Sequence, residues 1–404
     1  LGARHTQNNS CNRDASASAE PGSGSTIMAY TGICSPNVQK NSDAYYMSIS
    51  VNQMNNVLQS AKCGTKVTTS NSAPTVNVEK TLYTIPHSTA FILDAKAEDI
   101  NGDELTYNWE QTDRTVGEKM PPVSANKLGP MFRSWPSKKE SYRYFPRLEK
   151  IIENKIVFVT NPYSGSINQL PNNNWEVVPS INRSLNFSVL VRDNNTNVGQ
   201  TASANVRLNV AKDFGPFKVT SQAETEVWNR ESTATINWDV AGTDANGIDT
   251  QNVKITLSTD GGKNFDYVLA ESVPNNGKYN FTVPANVTLT KEARIMIKAV
   301  GNVFLAVNVK NFEIADKLAI SEVNQKDLAT ISPNPSRGIV QLNFAKSVAT
   351  ASITVSDFSG RTVYSTKLNS SQSQQIDLGN LPNGVYLVSI DANGELFTKK
   401  LIIK

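Results

Sequence analysis

The sequence FILDAKAEDINGDELTYNW, residues 91–109, holds two apolar segments on either side of a polar one. Phe91–Ala95 and Leu105–Trp109 are rich in the aliphatic and aromatic residues that strands favour. Asp99–Asp103, between them, carries the Asp, Asn and Gly typical of turns. Farther along, Leu185–Val191 alternates apolar and polar residues, as a half-buried strand does. Because short strands and turns continue to the C-terminus, the sequence predicts a mainly β fold of tandem β-sandwiches.

Breaks in composition divide the 404 residues into several regions, as expected for a chain of this length. The first region is rich in Ser, Asn and Ala and contains one helical pattern, Ile49–Ala61. Phe214-Gly215-Pro216 marks a later boundary. The predicted regions are residues 1–64, irregular and α-helical; 74–211, a β-sandwich with a less regular insertion at 112–154; 215–315, a second β-sandwich; and 330–404, a third β module.

The overall composition excludes several classes of protein. The formal net charge is only +3, which gives no reason to expect nucleic acid or an anionic membrane as partner. No apolar run approaches the roughly 18 residues that a spanning helix needs, so no transmembrane segment is predicted. The opening, Leu1-Gly2, shows neither a start methionine nor a signal peptide, and we expect it to be the interior of a longer protein.

Two short motifs near the start carry chemistry when they are taken together. Gly2-Ala3-Arg4-His5 has a glycine three residues before a histidine, and Ser25–Tyr30 follows with a central Met28. Together these residues resemble the metzincin metalloproteases, whose motif H-E-x-x-H-x-x-G-x-x-H is followed by a methionine turn. Gly2 and His5 match the eighth and eleventh positions of that motif. The sequence from Asn12 to Thr26 resembles the reprolysin-like branch of the metzincins.

The resemblance implies a zinc endopeptidase whose catalytic domain ends near residue 64. His5 would be the third zinc ligand, and Met28 would lie beneath the metal without binding it. Both helical histidines and the general-base glutamate would precede Leu1, so we expect this chain alone to be inactive, with a protein or peptide as substrate of the whole enzyme. Thr6 departs from the branch, which usually has an acidic residue there.

The three cysteines, Cys11, Cys34 and Cys63, lie in the first sixth of the chain. This crowding is typical of a small disulfide-bonded region, and three free thiols of a cytosolic protein are the alternative. The metzincin resemblance implies that Cys11 pairs with Cys34 around the methionine turn and that Cys63 pairs with a cysteine upstream of Leu1.

A calcium site is a further candidate in the first sandwich. Asp99, Asn101 and Asp103 alternate in the turn, but Glu104 occupies the position where an EF-hand requires glycine, so an EF-hand is excluded. The segment resembles the signature of PKD-like and cadherin-like sandwiches, some of which bind calcium. A plain turn is the alternative.

The insertion at 112–154 interleaves aromatic and basic residues, among them Trp135, Tyr144 and Arg147. Such a pattern is typical of a surface that binds sugars or nucleic acid, or that docks a substrate. The alternative is an insertion that folds against its own sandwich. The second sandwich resembles immunoglobulin-like or fibronectin-like repeats. Its Asp260-Gly261-Gly262 segment is typical of a hairpin turn.

The last 75 residues combine a proline-rich start with a basic, apolar finish. Ile331–Gly338 contains Pro-Asn-Pro, Leu381–Gly384 reads Leu-Pro-Asn-Gly, and Lys399–Lys404 ends the chain. This order resembles the type A sorting domain of the type IX secretion system. It implies passage through the type IX machinery, followed by release or attachment to the cell surface.

The sequence leaves two classes of function open. The first is a secreted zinc endopeptidase that hydrolyses peptide bonds with zinc-activated water, of which this chain is a part. The second is a non-enzymatic, secreted or surface-attached protein whose sandwiches bind glycans or proteins.

Overall fold

The structure is a computed structural model that describes residues 1–65, 67–118, 120–158, 175–316, 329–392 and 395–404. The chain forms two compact units, Leu1–Lys317 and Leu318–Lys404. Strands dominate both units, so the prediction of a mainly β fold is confirmed. No helix in these ranges is long and apolar enough to cross a membrane.

Residues 1–65 are mostly irregular and contain one helix, α1 (Ser48–Ser60), close to the predicted Ile49–Ala61. Loops before α1 are tied by backbone hydrogen bonds, such as Glu20 N–H to the Thr6 carbonyl at 2.9 Å. Many polar side chains in these loops are buried, Thr6 and Ser25 completely. The region is therefore ordered by hydrogen bonding rather than by a large apolar core.

The first β-sandwich follows the predicted strands. A four-stranded sheet has the order β2-β8-β7-β5, and β1 pairs with β4. The elements are β1 (Thr75–Asn77), β2 (Leu82–Pro86), β3 (Ala90–Leu93), β4 (Lys96–Glu98), β5 (Thr106–Gln111), β6 (Arg143–Phe145), α2 (Leu148–Ile152), β7 (Arg183–Arg192) and β8 (Thr201–Ala211).

The second stretch of strands shares a sheet with the first. Strand β3 pairs with β16, so that Phe91 lies opposite Phe304, and β6 extends the same eight-stranded sheet. The second group comprises β9 (Lys218–Val219), β10 (Val227–Asn229), β11 (Thr233–Asp239), β12 (Asn252–Ser258), β13 (Tyr267–Pro274), β14 (Lys278–Thr282), β15 (Thr290–Ala299), β16 (Phe304–Val307) and β17 (Phe312–Ala315).

One hydrophobic core runs through both groups of strands, from Tyr83 to Ile314. The boundary expected between residues 211 and 215 therefore falls inside a continuous core and a continuous sheet. The physical reason is that β3 presents four buried residues, Ala90–Leu93, with a partner strand on each side. Alternation along the chain indicates that a strand exists, but it does not specify which distant strand pairs with it.

The insertion at 112–154 contributes directly to this core. Phe132 and Phe145 are buried and pack with Phe91 and Phe187, with ring centroids 4.7–6.0 Å apart. Offset and edge-on aromatic contacts of this kind stabilise a core beyond the area that they bury. Part of the insertion thus folds against its own sandwich, which was one of the two alternatives.

The second unit is a small β-sandwich with its own core. Its sheet has the order β18-β19-β21-β22, and β20 pairs with β19. Strand β19 is a single strand of 18 residues. The strands are β18 (Ala329–Ser332), β19 (Ile339–Ser356), β20 (Thr362–Asp377), β21 (Gly384–Ala392) and β22 (Glu395–Ile403).

The two ends of the second unit meet. The Asn334 side chain donates to the Lys400 carbonyl at 2.7 Å and accepts from Ile402 N–H at 2.9 Å. Ser336 N–H donates to the Ile402 carbonyl at 2.8 Å. Gly338 has φ of 110°, and a Cβ there would lie 2.5 Å from the backbone of Gly379, so only glycine fits. The proline-rich start and the basic finish of this region are thus one structural feature.

Candidate functional site

The His5 ring contacts two residues, Asn12 and Tyr30. Its Nδ1 is 2.8 Å from the Asn12 carbonyl, and its ring packs edge-on against Tyr30 at a centroid distance of 4.8 Å. The Asn12 amide in turn donates to the Tyr30 hydroxyl at 2.8 Å. A carbonyl facing Nδ1 selects the tautomer with the proton on that nitrogen, and Nε2 keeps its lone pair.

The residue after His5 fastens this segment to the Met28 loop. Thr6 N–H donates to the Met28 carbonyl at 3.1 Å. The Thr6 hydroxyl donates to the buried carboxylate of Glu20, which also accepts from Thr26 N–H at 3.1 Å and from the Thr26 hydroxyl at 2.7 Å. Thr6 stands where the reprolysin-like branch usually has an acidic residue. Its hydroxyl contacts instead an acidic side chain, Glu20, from another part of the loop. Sequence reasoning did not single out Glu20.

Helix α1 supports the same segment from the other side. Gly2 has φ of 84°, the left-handed region that favours glycine, and a Cβ there would lie 2.3 Å from Val57 Cγ2. Arg4 N–H donates to the Gln53 Oε1 at 2.9 Å. Gln53 and Val57 are four residues apart and share a helix face, so one face of α1 holds the Gly2–His5 segment.

A buried glutamate of the first sandwich connects that sandwich to α1. Glu110 on β5 is 1% exposed, and its carboxylate accepts from Ser48 N–H, the first residue of α1, at 2.6 Å. It also accepts from the Ser134 hydroxyl. Burial raises the pKa of Glu110, although these hydrogen bonds act in the opposite direction. An acidic side chain at the start of a helix compensates both the free N–H groups and the helix dipole.

The cysteines divide into a pair and a single residue. Cys11 and Cys34 form a disulfide across 23 positions of sequence, as the metzincin resemblance implies. Cys63 is free and exposed in this chain. The Nδ1 of the other histidine, His87, lies 2.9 Å from the hydroxyl of the neighbouring Ser88.

The predicted calcium residues are brought together only in part. Asp99 and Asp103 lie with Asp193 so that one oxygen of each falls within 4.8 Å of the others. The Asn101 side chain bonds to the backbone of Ser70 and Ser72, so its oxygen already has a donor.

Asp193 could not be identified from the sequence because it follows β7, about ninety residues farther along. It is 1% exposed and accepts from Gln200 N–H at 2.9 Å and from the Asn71 amide at 2.6 Å. Asp99 Oδ2 and Asn71 Oδ1 are also buried there and accept no hydrogen bond from the described residues. Asp99 Oδ2 and the nearby Asn71 Oδ1 are therefore two buried oxygen atoms without a donor in the described part of the chain, whereas both Asp193 oxygens already accept hydrogen bonds.

A groove of about 540 Å³ lies where the insertion meets β5. Its aromatic lining consists of Tyr107, Trp109, Trp135, Tyr142 and Tyr144. The exposed aromatic–basic part of the insertion therefore forms a concave surface, beside the part that packs into the core.

The floor of this groove is held by a buried ion pair. Arg143 lies 2.5 Å from Glu176, and Glu176 also accepts from Trp135 Nε1 at 3.0 Å and Arg147 N–H at 2.8 Å. The guanidinium groups of Arg133 and Arg147 lie 3.8 and 4.4 Å from the Trp135 ring centre. Burial raises the pKa of Tyr144 to about 12.

Comparison with protein families identifies the C-terminal region. The family described as a secretion system C-terminal sorting domain matches residues 330–404. The protein is therefore secreted through the type IX secretion system, to be released or held at the cell surface, and the secretion machinery is one of its partners. The comparison with curated proteins finds no match.

Solved structures of tandem sandwich domains are similar at low identity. They include the FN1–FN3 domains of chicken CNTN1, with 11% identity, a TM-score of 0.19 and coverage of 82% of this chain and 98% of that one. The BSP domain of a biofilm associated protein has 11% identity, a TM-score of 0.18 and coverage of 91% and 72%. A two-domain fibronectin type III segment of chicken tenascin has 11% identity, a TM-score of 0.19 and coverage of 46% and 97%. At these scores the similarity carries no argument about function.

Proposed function

We propose that this chain is the C-terminal part of a secreted zinc-dependent endopeptidase and that His5 is one of the zinc ligands. The observation that carries the proposal is the setting of the imidazole. The Asn12 carbonyl faces Nδ1 at 2.8 Å, which leaves Nε2 for a metal. Metal-binding histidines in proteins are commonly oriented by such a hydrogen bond from the other ring nitrogen.

The neighbouring residues fit the same role. Thr6 links His5 to the Met28 loop, and Gly2 has the left-handed conformation that the metzincin motif requires before its third histidine. Glu20 and α1 hold the two sides of the segment. Together these contacts fix the direction of the imidazole, which is what a ligand on a loop needs.

One imidazole does not make a catalytic zinc site, because such sites take three protein ligands. Among the described residues, the group of side chains that could hold a metal does not include His5. We therefore place the other two histidines and the general base upstream of Leu1. Bound zinc supplies a Lewis acid that activates water towards a peptide carbonyl. The 404-residue chain alone is expected to hold zinc weakly and to be inactive.

The test begins with the coding sequence immediately before Leu1. An in-frame His-Glu-x-x-His segment is expected, with its second histidine three positions before Gly2. The longer protein is then expressed, and its zinc content and peptide hydrolysis are measured for the wild type, His5→Ala and His87→Ala. We expect His5→Ala to lose both zinc and activity. His87→Ala is the matched control, because His87 contacts Ser88 and not the Met28 loop.

Absence of that segment, or full zinc occupancy in His5→Ala, would overturn the protease proposal. The second candidate function would then lead: a non-enzymatic, surface-attached protein that binds glycans or proteins. The observation that favours it is the aromatic groove beside β5. That groove does not depend on zinc.

We also propose that the Asp99–Asp103–Asp193 group binds calcium. Oxygen atoms within 4.8 Å of one another can surround one ion, because calcium–oxygen distances are about 2.3–2.6 Å. The buried Oδ2 of Asp99 and Oδ1 of Asn71 lack donors among the described residues, which is what cation ligands require.

Calcium is expected to raise the melting temperature of the chain relative to chelator. At a concentration 100-fold above Kd, the gain in the free energy of unfolding is about 2.7 kcal/mol. Asp193→Asn should abolish this calcium-dependent gain, whereas the exposed Asp213→Asn should retain it. An equal gain in both variants would place the calcium elsewhere.

A further inference from the structure

We propose that the first sandwich holds the His5 segment in place through Ser134, a positioning residue in its insertion. The sequence divides residues 1–64 from a separate sandwich at 74–211, but Ser134 is buried between them and bonds to both sides of the Met28 loop. The sandwich is therefore part of the structure that orients the imidazole. Its effect on zinc rests on the proposed function, whereas the positioning itself is measurable without metal.

One side of the loop contacts Ser134 directly. The Ser25 hydroxyl lies 3.3 Å from the Ser134 carbonyl and 3.3 Å from the Glu20 carboxylate, so this hydroxyl connects the two residues. The same carboxylate accepts from Ser25 N–H at 2.9 Å and from the Thr6 hydroxyl. Thr6 follows His5 in the sequence. A chain of buried hydrogen bonds therefore leads from the insertion to the residue beside the imidazole.

The other side of the loop reaches Ser134 through Tyr45. The Tyr45 hydroxyl donates to the Ser134 hydroxyl at 2.7 Å. The Tyr45 carbonyl accepts from the N–H of Ile27, the residue before Met28, at 3.1 Å. The Ser134 hydroxyl itself donates to Glu110 of β5. The Ser134 side chain thus joins the loop to a strand of the first sandwich.

The neighbouring Arg133 fixes the same interface with a buried charge. Its side chain is 1% exposed, donates to the Gln39 side chain and lies 3.9 Å from the Asp43 carboxylate. Removing partners from a buried charge strongly destabilises a protein. The insertion therefore depends on residues 1–64 as much as they depend on it.

The apolar part of the interface is formed by Trp175. This side chain is fully buried and clusters with Val38. Gly22, shortly before the Met28 loop, has φ of 61°, and a Cβ there would lie 2.5 Å from the Trp175 ring. Only glycine combines this conformation with so close an approach. The chain that enters the loop thus packs on a side chain of the 74–211 region.

A loose contact between independent domains has other properties. Interfaces between domains of one chain usually resemble those of transient complexes, and relative motion is the default. Here Thr6, Ser25 and Ser134 are each at most 3% exposed, and all three belong to one hydrogen-bonded network. A buried polar network whose members are satisfied makes the structure rigid and selects a single arrangement.

The first test is NMR spectroscopy of the 404-residue chain with labelled histidine. His5 and His87 are its two histidines, so one imidazole reports on the segment and the other is an internal control. At about pH 8, where an imidazole of ordinary pKa is neutral, His5 should show one tautomer with the proton on Nδ1, facing the Asn12 carbonyl. Ser134→Ala should shift the His5 ring nitrogens towards the mixture of tautomers of a free imidazole and leave His87 unchanged.

Hydrogen exchange gives a second measurement on the same chain. The amides of Thr6 and Glu20 both donate hydrogen bonds within the segment, and both should exchange at least tenfold faster in Ser134→Ala. Ser141→Ala is the matched control. It lies in the same insertion, but its hydroxyl donates to Asp94 of the sandwich at 2.6 Å, so the two amides should exchange as in the wild type.

Tyr45→Phe is a milder variant of the same network. It removes the hydroxyl that reaches Ser134 and keeps the ring, and its effect on His5 should have the same direction. Melting temperatures show which variants fold. Wild-type His5 signals and wild-type exchange in a folded Ser134→Ala or Tyr45→Phe would rule out the positioning role. An equal acceleration of exchange throughout β7 and β8 would also rule it out, because general destabilisation produces that pattern.

The longer protein separates this proposal from the proposed protease. Zinc binding and peptide hydrolysis by the wild type decide the protease proposal alone. If both are found, Ser134→Ala should weaken zinc binding at least tenfold, as loss of an orienting residue commonly does, and Ser141→Ala should not. Wild-type zinc affinity in Ser134→Ala would sink the positioning role and leave the protease intact. If neither is found, the His5 spectrum and the amide exchange still decide whether Ser134 positions the segment.

Discussion

Replacing Glu110 with alanine should weaken the attachment of residues 1–64 to the first sandwich. The carboxylate accepts from Ser48 N–H at 2.6 Å and from the Ser134 hydroxyl, and all three residues are buried. Each hydrogen bond to an ionised acceptor contributes about 1.5–3 kcal/mol, so two contribute roughly 3–6 kcal/mol. Alanine also recovers the desolvation cost of the carboxylate. We therefore expect a net loss of about 3 kcal/mol in the free energy of unfolding.

The assay is urea denaturation, combined with the rate at which protease releases residues 1–64. Glu110→Gln keeps an acceptor and should stay within about 1 kcal/mol of the wild type. Glu98→Ala, an exposed glutamate on neighbouring β4, is the control for loss of a negative charge. Equal stabilities of Glu110→Ala and Glu110→Gln would refute the assignment of the loss to these two hydrogen bonds.

The pKa of Glu110 provides an independent check. Burial raises it above the value in the unfolded chain, so the unfolded state ionises at lower pH. The associated stability is present below the unfolded pKa and is lost as pH rises through the folded one. Relative to Glu110→Gln, the wild type should therefore lose stability as the pH rises above about 4.5, the ordinary pKa of a glutamate. A wild type that loses stability relative to Glu110→Gln as the pH falls would contradict this reasoning.

Three further predictions concern other parts of the chain. Serine at both Cys11 and Cys34 should lower the free energy of unfolding by about 3 kcal/mol, the loop-closure value for 23 residues, measured by urea denaturation. Burial raises the pKa of Asp260, but hydrogen bonds from Asn264, Ser258 and Lys263 outweigh it and lower the pKa to about 2. Its contribution to stability is present above about pH 3.8 and should be lost as pH falls towards 2, with no such loss in Asp260→Asn. Burial raises the pKa of Tyr144 to about 12, so Tyr144→Phe should remove part of the stability loss between about pH 10 and 12, measured by melting temperature.

The mainly β fold was predictable because its signal is local. Phe91–Ala95 and Leu105–Trp109 are apolar segments around a turn, and both form strands, β3 and β5. The proline-rich start and the basic finish of residues 330–404 were equally informative, because they carry residue types at fixed places. These patterns depend on neighbours in sequence, which a single chain displays directly.

The pairing of β3 with β16 was not predictable from the sequence, since the two strands are more than two hundred residues apart. Buried acids were missed for a related reason. Glu20, Glu110 and Glu176 are almost fully buried, whereas a glutamate in a sequence is expected at the surface. The donors to Glu110 and Glu176 come from distant segments, whereas those to Glu20 come from its own loop region. The weak signal that was available is their position next to strand-like or serine-rich runs.

The sheet shared by the first and second sandwiches determines where this chain can be divided into fragments that fold. A fragment that ended near residue 211 would leave the β3 edge, with Ala90 and Phe91, without its partner β16. Unpaired apolar edges promote association with other chains. Recombination, or a truncated clone, that treated 74–211 and 215–315 as exchangeable cassettes would produce aggregating halves. The two stretches are therefore expected to be inherited and expressed as one piece.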